Sequence, residues 1–252
     1  PEGDAVKTTQ GVSSGPVSFL TAYDAATETV KQGSKRRGAN MGVLRIDHPD
    51  IEKFITCKQD NDKINNFNLS VGITDRFMEA VILNHKYFDL INPRTGDVEK
   101  VINPIALWDM IVDSAWLNGE PGLLFLDEVN RHNPTPEQGD ITATNPCGEQ
   151  PLLPYEACCL GSINLSEMIN DGKVNYIKLT DTVKIATQML NDIIDVNVYP
   201  LPEIETVCKR NRKIGLGVMG WADMLIKLGI PYDSERALSL AKEIIKTIRN
   251  TA

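Results

Sequence analysis

Phe67, Leu69, Val71 and Ile73 occupy every second position, separated by polar or small residues, which is the period of a strand with one buried face. Thr74 follows and can cap a helix that begins "DRFMEAV". Upstream, Leu20, Tyr23, Ala26, Thr27 and Val30 share one helical face over residues 20–32, with Gly33 as terminator. "SKRRGANMG" then reads as a loop and "VLRI" as a buried strand. "HPDIEKFITCK" reads as a helix with Pro49 in its first turn and Ile51, Phe54 and Ile55 facing inward. "KYFDLIN", "PRTGD" and "VEKVI" predict a small hairpin. Asn103 and Pro104 open a helix carrying Ile105, Trp108, Ile111, Val112 and Ala115, and "GLLFL" supplies another short strand. Further on, the pattern predicts a helix over about 181–197, a strand at "KIGLGVM", and helices near 221–228 and 234–249. Alternating strands and helices, with no internal repeat and no linker-like tract, predict one α/β unit.

Residues 127 to about 160 interrupt the rhythm with five prolines and no sustained period. A long irregular segment inside an α/β unit is expected to be an inserted functional loop. The remaining composition narrows the classes. A hydrophobic content of 42% over 252 residues supplies a core, and a net charge of −8 leaves no basic footprint for nucleic acid or an anionic membrane. No apolar run reaches the ~18 residues of a membrane span, and the polar opening "PEGDAVKTTQ" is not a secretory signal, so a cytoplasmic location is expected. Pro1 in place of Met, and a helical pattern that runs almost to Ala252, read as cuts through a longer polypeptide. Five cysteines, an odd number, argue against a structural disulfide framework.

Three groups of residues could carry chemistry. "GLGVMG", residues 215–220, fits a dinucleotide-binding glycine pattern, but no acid closes a following strand, since Asp233 and Glu235 fall at a helix start. Glycines that let a helix pack closely on a strand are the preferred reading. Cys147, Cys158, Cys159, Cys208 and His132 lack the short spacings of a zinc site, so no metal is expected. Cys57 and Cys208 lie in helical patterns and read as small buried hydrophobes. The third group is Asn145, Cys147 and Glu149 in "NPCGEQ". In an extended backbone their side chains point the same way, setting an amide, a thiol and a carboxylate together. Such a trio can bind a substrate, act at sulfur and move a proton. The carboxylate works against a thiolate nucleophile, which favours hydrogen-atom chemistry at a neutral S–H. A bare N-x-C-x-E also describes a surface loop with incidental polar residues.

The longer stretch "TNPCGEQPLLPYEACCLGSINL" closely resembles the active-site segment of the ribonucleotide reductase large chain, in its adenosylcobalamin-dependent (class II) form. "GVSSGPVSF", "KQGSKRRGANMGVLRIDHPDI", "IIDVNVYPLPEIE" and "NRKIGLGVMGWADMLIKLGIPYDSE" resemble the same family, so the likeness covers nearly the whole chain. The resemblance implies a ten-stranded α/β barrel made of two five-strand halves, with a finger loop (about 127–160) entering its centre, and it assigns Gly215, Gly217 and Gly220 to a barrel strand and turn. It implies that Cys147 becomes a thiyl radical and takes the 3′ hydrogen of the substrate ribose. Glu149 takes the 3′-hydroxyl proton, Asn145 binds the sugar hydroxyls, and Cys158 is one half of a reducing dithiol that ends as a disulfide. Cys159 departs from the family, which usually has asparagine there; adjacent strand residues face opposite ways, so it is expected to be a spectator. "QGSKRRGANMG" (about 32–42) resembles the specificity loop between substrate base and allosteric deoxynucleotide, with Gln32, Lys35 and Arg36 facing base or phosphate. Charge pattern alone reads that stretch as a solvated basic turn.

By the same resemblance the chain is the central part of the barrel, with its N- and C-terminal parts elsewhere and the isolated piece inactive. The expected partners are a ribonucleoside di- or triphosphate, a deoxynucleoside triphosphate effector, adenosylcobalamin, a thioredoxin-type reductant and the remainder of the catalytic chain, with room for a homodimer. Two alternatives stay open: the same reaction with the radical supplied by a separate metal-bearing subunit, and a non-catalytic nucleotide-binding or regulatory fragment.

Overall fold

In a computed structural model of the chain, which describes residues 1–6, 11–30, 38–59 and 63–252, the alternation of strand and helix divides between two units, Pro1–Pro154 and Tyr155–Ala252. The division falls in the proline-rich stretch. The alternating pattern carries no mark of it, because it runs on at either side.

The first unit begins with a short antiparallel pair, β1 (Ala5–Val6) and β2 (Gly11–Val12), followed by α1 (Gly15–Thr29), β3 (Asn40–Arg45), α2 (Ile51–Thr56), β4 (Phe67–Ile73) and α3 (Asp75–Ile82). The hairpin β5 (Phe88–Ile91) and β6 (Val98–Ile102) comes next, then α4 (Pro104–Asn118), β7 (Gly122–Phe125), α5 (Leu126–Arg131), and a second small hairpin, β8 (Ala143–Thr144) and β9 (Pro151–Leu152). Its centre is a parallel sheet in the order β3-β4-β7.

The strand of strict alternation, β4, is the middle one. Its Phe67, Leu69, Val71 and Ile73 are buried in a core with Phe54 and Ile55 of α2, Phe77 of α3, and Leu107 and Ile111 of α4. Phe77 meets Phe88 edge-on, with ring centroids 5.2 Å apart. Thr74 caps α3, its Oγ1 accepting from the Phe77 N–H, and Asn103 caps α4 through the Ile105 and Ala106 N–H groups. The other face of β4 carries only Asn68, Ser70 and Gly72. A Cβ on Gly72 would lie 2.6 Å from Leu126 Cδ1, so the glycine admits the first residue of α5 against the sheet.

The second unit holds β10 (Cys159–Asn164), a short hairpin of β11 (Ile169–Asn170) and β12 (Lys173–Val174), α6 (Tyr176–Val196), α7 (Pro202–Asn211), β13 (Ile214–Met219), α8 (Trp221–Leu228) and α9 (Glu235–Thr251). β10 and β13 run parallel, from Cys159 opposite Ile214 to Asn164 opposite Met219. Ile163 sits in a core with Leu179 and Val183 of α6, Met224 of α8, and Ile244 and Ile248 of α9. Asp171 and Gly172 both have positive φ (50° and 70°), the signature of a two-residue type I′ hairpin turn. Gly220 (φ +70°) opens α8, and a Cβ there would fall 2.2 Å from Asn164 Oδ1. The last glycine of "GLGVMG" is therefore needed for close packing, as the sequence pattern suggested.

Several boundaries differ from expectation. α1 begins at Gly15, five residues earlier than predicted, because Pro16 sits in its first turn. β3 begins at Asn40, where pairing with Phe67–Leu69 draws small and polar residues into the ladder. β10 and α7 were not signalled, and α5 forms inside the stretch expected to be irregular. The described residues contain parallel sheets of three and two strands, neither of them closed, so the fold is mixed α/β without a ten-stranded barrel.

Candidate active site

Asn145, Cys147 and Glu149 lie on the loop joining β8 to β9. This loop is a turn, not the extended segment that the alternate spacing of the three residues suggested. The Gly148 N–H donates to the Asn145 carbonyl at 3.0 Å, closing a four-residue turn Asn145-Pro146-Cys147-Gly148. Proline at the second position, glycine at the fourth (φ +82°) and no positive φ at Cys147 make it type I. The ladder of the hairpin continues above it, with the Asn145 N–H donating to the Gln150 carbonyl at 3.1 Å. The Gln150 N–H in turn donates to Asn145 Oδ1 at 3.0 Å. The Asn145 side-chain oxygen thus belongs to the turn, and the group it has left to offer is its amide NH2.

This geometry places Cys147 at the apex, exposed, with Glu149 also exposed and Asn145 half-buried at the base. Two residues of chain keep the Cα of Asn145 and of Glu149 within about 7 Å of that of Cys147. The turn is fastened to the sheet by Asn68, whose Nδ2 donates to the Pro146 carbonyl at 2.6 Å. Asn68 projects from the coreless face of β4, so the hairpin lies on the side where Ser70 and Gly72 leave room.

The stretch leading to the hairpin is held by asparagines. Asn130 donates to the Leu126 and Ile141 carbonyls at 2.9 Å and accepts from the Ile141 N–H at 2.7 Å. Asn133 donates to the Gly139 carbonyl and accepts from the Thr135 N–H. Ile141 and Leu153 bury their side chains at either end. Sequence reasoning missed Asn68 and Asn130. The asparagines of "VNRHNP" were a local turn signal for the second, but nothing local marks the first.

Cys158 belongs to the other unit. It is half-buried just before β10, and its S–H points to the Cys159 carbonyl at 3.6 Å. Burial, and then the neighbouring Cys159, push its thiol up to about 11, while the Lys213 ammonium acts in the opposite sense. Cys159 opens β10 and shares the face of Gly161 and Ile163, which packs on Leu190 and the core. Cys208 is buried in α7 and Cys57 packs at the edge of the first core, its thiol pushed up to about 11 by burial.

Gln32, Lys35 and Arg36 lie outside the described residues. Their flanks are joined: Asn40 Nδ2 donates to Thr27 Oγ1 at 2.8 Å, and a Cβ on Gly38 would lie 2.5 Å from Thr27 Cγ2.

The family model described as the ribonucleotide reductase barrel domain matches residues 1–252. The chain belongs to this family. Among curated relatives, it is 53% identical over 252 residues to the vitamin B12-dependent ribonucleoside-diphosphate reductase of Thermoplasma acidophilum, covering 99% of this chain and 33% of that protein. It is 50% identical to the protein of the same name from Mycobacterium tuberculosis, covering all of this chain and 36% of the relative. The putative ribonucleoside-diphosphate reductase large subunit of Frog virus 3 is 34% identical, over 99% of this chain and 46% of its own length. The chain therefore spans between a third and a half of the relatives it matches. Among the described residues no helix is long and apolar enough to cross a membrane.

Proposed function

We propose that this chain is the portion of a ribonucleotide reductase that carries its hydrogen-abstracting cysteine, acting on ribonucleoside diphosphates with adenosylcobalamin. The observation that supports it most is the type I turn that lifts Cys147 to an exposed apex, with an amide on one side and a carboxylate on the other. Adenosylcobalamin, when bound, supplies the radical that removes the hydrogen atom from sulfur. The relatives from Thermoplasma acidophilum and Mycobacterium tuberculosis, at 53% and 50% identity, carry vitamin B12 in their names, which favours it over a metal-bearing partner subunit.

The thiyl sulfur of Cys147 takes the 3′ hydrogen of the ribose. Glu149 accepts the 3′-hydroxyl proton, and the Asn145 amide NH2 donates to the sugar hydroxyls as the 2′-hydroxyl leaves as water. Cys158 and a second thiol then provide two electrons and two hydrogens. The sum is ribonucleotide plus two S–H groups giving deoxyribonucleotide, water and one disulfide, after which Cys147 recovers its hydrogen. A thioredoxin-type dithiol reopens the disulfide.

In this reading residues 127–160 are the finger loop of a ten-stranded barrel completed by the rest of the catalytic chain. Residues 32–42 form the specificity loop, with Gln32, Lys35 and Arg36 toward base or phosphate and a deoxynucleoside triphosphate as effector. The enzyme works in the cytoplasm, with a homodimer as the assembly to test. Paramagnetic resonance of the full-length protein mixed with adenosylcobalamin, effector and ribonucleoside diphosphate tests the cofactor. A cob(II)alamin signal that needs all three is expected; turnover that needs a metal-bearing partner subunit instead would overturn it.

A further inference from the structure

Cys158 is preceded by a residue that the fold holds more tightly than any loop position requires. The side chain of Glu156 is fully buried, its Oε1 accepting from Asn211 Nδ2 at 2.7 Å and its Oε2 from Lys213 Nζ at 2.5 Å. The next residue is fastened too: the Ala157 N–H donates to Cys208 Sγ at 3.3 Å. All three partners come from the end of α7 and its link into β13. That link is itself anchored, because Arg212, at φ +49°, sends its guanidinium to Asn191 Oδ1 and to both oxygens of Asp195 on α6 at 2.8–2.9 Å. On the near side, Tyr155 has φ +60°, a left-handed conformation that a β-carbon disfavours and that neighbouring contacts must maintain.

We propose that Glu156 is a positioning residue for Cys158: clamped between Lys213 and Asn211, its carboxylate fixes where the thiol stands at the mouth of β10. The inference rests on the reading of Cys158 as a reducing thiol. A buried ion pair is a poor way to gain stability, since desolvation offsets most of the attraction, but it enforces one geometry where apolar contacts accept several. A dithiol that must close to a disulfide needs that restriction, because sulfur–sulfur bonding tolerates little error in distance or angle. The same pair sets opposing charges beside the thiol, Lys213 favouring its ionised form and Glu156 its neutral one.

The test uses the full-length enzyme with E156A, E156Q and C158S, measuring kcat, KM, melting temperature and the rate at which Cys158 enters a disulfide in a single turnover without external reductant. For E156A, kcat and the disulfide rate are expected to fall together by about 10- to 100-fold. Its KM stays within about twofold of wild type, the mark of a loss after binding. E156Q keeps an acceptor for Lys213 but turns its NH2 toward the Asn211 donor, so it loses one of the two contacts, and it is expected to fall between wild type and E156A, within about tenfold of wild type. If E156A does not fold, N211A, which removes one hydrogen bond and leaves the ion pair, carries the same expectation at about threefold. Wild-type disulfide rates in folded E156A or N211A, or an E156Q loss as deep as that of E156A, would overturn the positioning role. C158S separates the two levels: if it turns over like wild type, the reading of Cys158 itself has failed.

Discussion

Asn68 donates a 2.6 Å hydrogen bond to the carbonyl of Pro146, so the central strand of the first unit holds the residue that adjoins Cys147. The two lie 78 positions apart in sequence, and the contact is what ties an otherwise exposed turn to a rigid element. Replacing Asn68 by alanine in the full-length enzyme is expected to lower kcat by about tenfold through misplacement of the thiol. KM should move little. Steady-state kinetics of N68A checks this, and an unchanged kcat would mean that the turn holds itself.

Gly148 closes the same turn at φ +82°, with open space around its missing Cβ. Alanine there meets no neighbour and suffers only the conformational penalty of about 1–2 kcal/mol, whereas asparagine tolerates the left-handed region. G148A should therefore turn over more slowly than G148N. Parallel kinetics of the two variants reads the difference.

Burial holds the thiol of Cys158 at about 11, against 9.0 for an unshifted cysteine. The protonated form is favoured in the fold, so at pH 8 about one Cys158 in a thousand is a thiolate. Alkylation by iodoacetamide, followed by peptide mass spectrometry, should rise about tenfold per pH unit from pH 8 to 10. The effect on folding has the same origin. Below about pH 9 both folded and unfolded thiols are protonated and the contribution is fully present; it is lost as pH climbs toward 11, because the unfolded chain ionises first. C158S should make that part of the stability profile shallower, while Cys57, pushed up to about 11 in the same way, keeps a share of the slope.

Much of the fold was legible where one period dominated. β4, Thr74 and the helix α3 that it caps follow from alternation and one hydroxyl, and Asn103-Pro104 announced α4. β10 was illegible because Gly161 and Ser162 interrupt its apolar positions, and its strand character comes from pairing with β13, 55 residues away in register. The chemistry of the Asn145–Glu149 loop could be named from residue types, but its shape could not be had from the same spacing: alternate positions suggested an extended chain, while Asn-Pro-Cys-Gly is also a strong type I signal, and that signal prevailed. Asn68 and Glu156 escaped notice for a shared reason. Each acts through a partner more than 50 positions distant, and no local pattern records it.

Cys159 lies on the core-facing side of β10 with Gly161 and Ile163. Replacing it with asparagine in the assembled enzyme is expected to leave turnover within about twofold of wild type, as for a residue that touches no reacting atom. A loss comparable to that of C158S would make Cys159 a working thiol.

Every step proposed for this chain follows from the sulfur of Cys147 starting the reaction. The direct measurement is deoxyribonucleotide formation by full-length C147S, supplied with adenosylcobalamin, effector, reductant and ribonucleoside diphosphate, beside the wild-type protein. Serine keeps the size and the turn but cannot give up a hydrogen atom at comparable cost, so turnover is expected to disappear while nucleotide binding persists. Product formed by C147S at a rate near that of wild type would contradict the account.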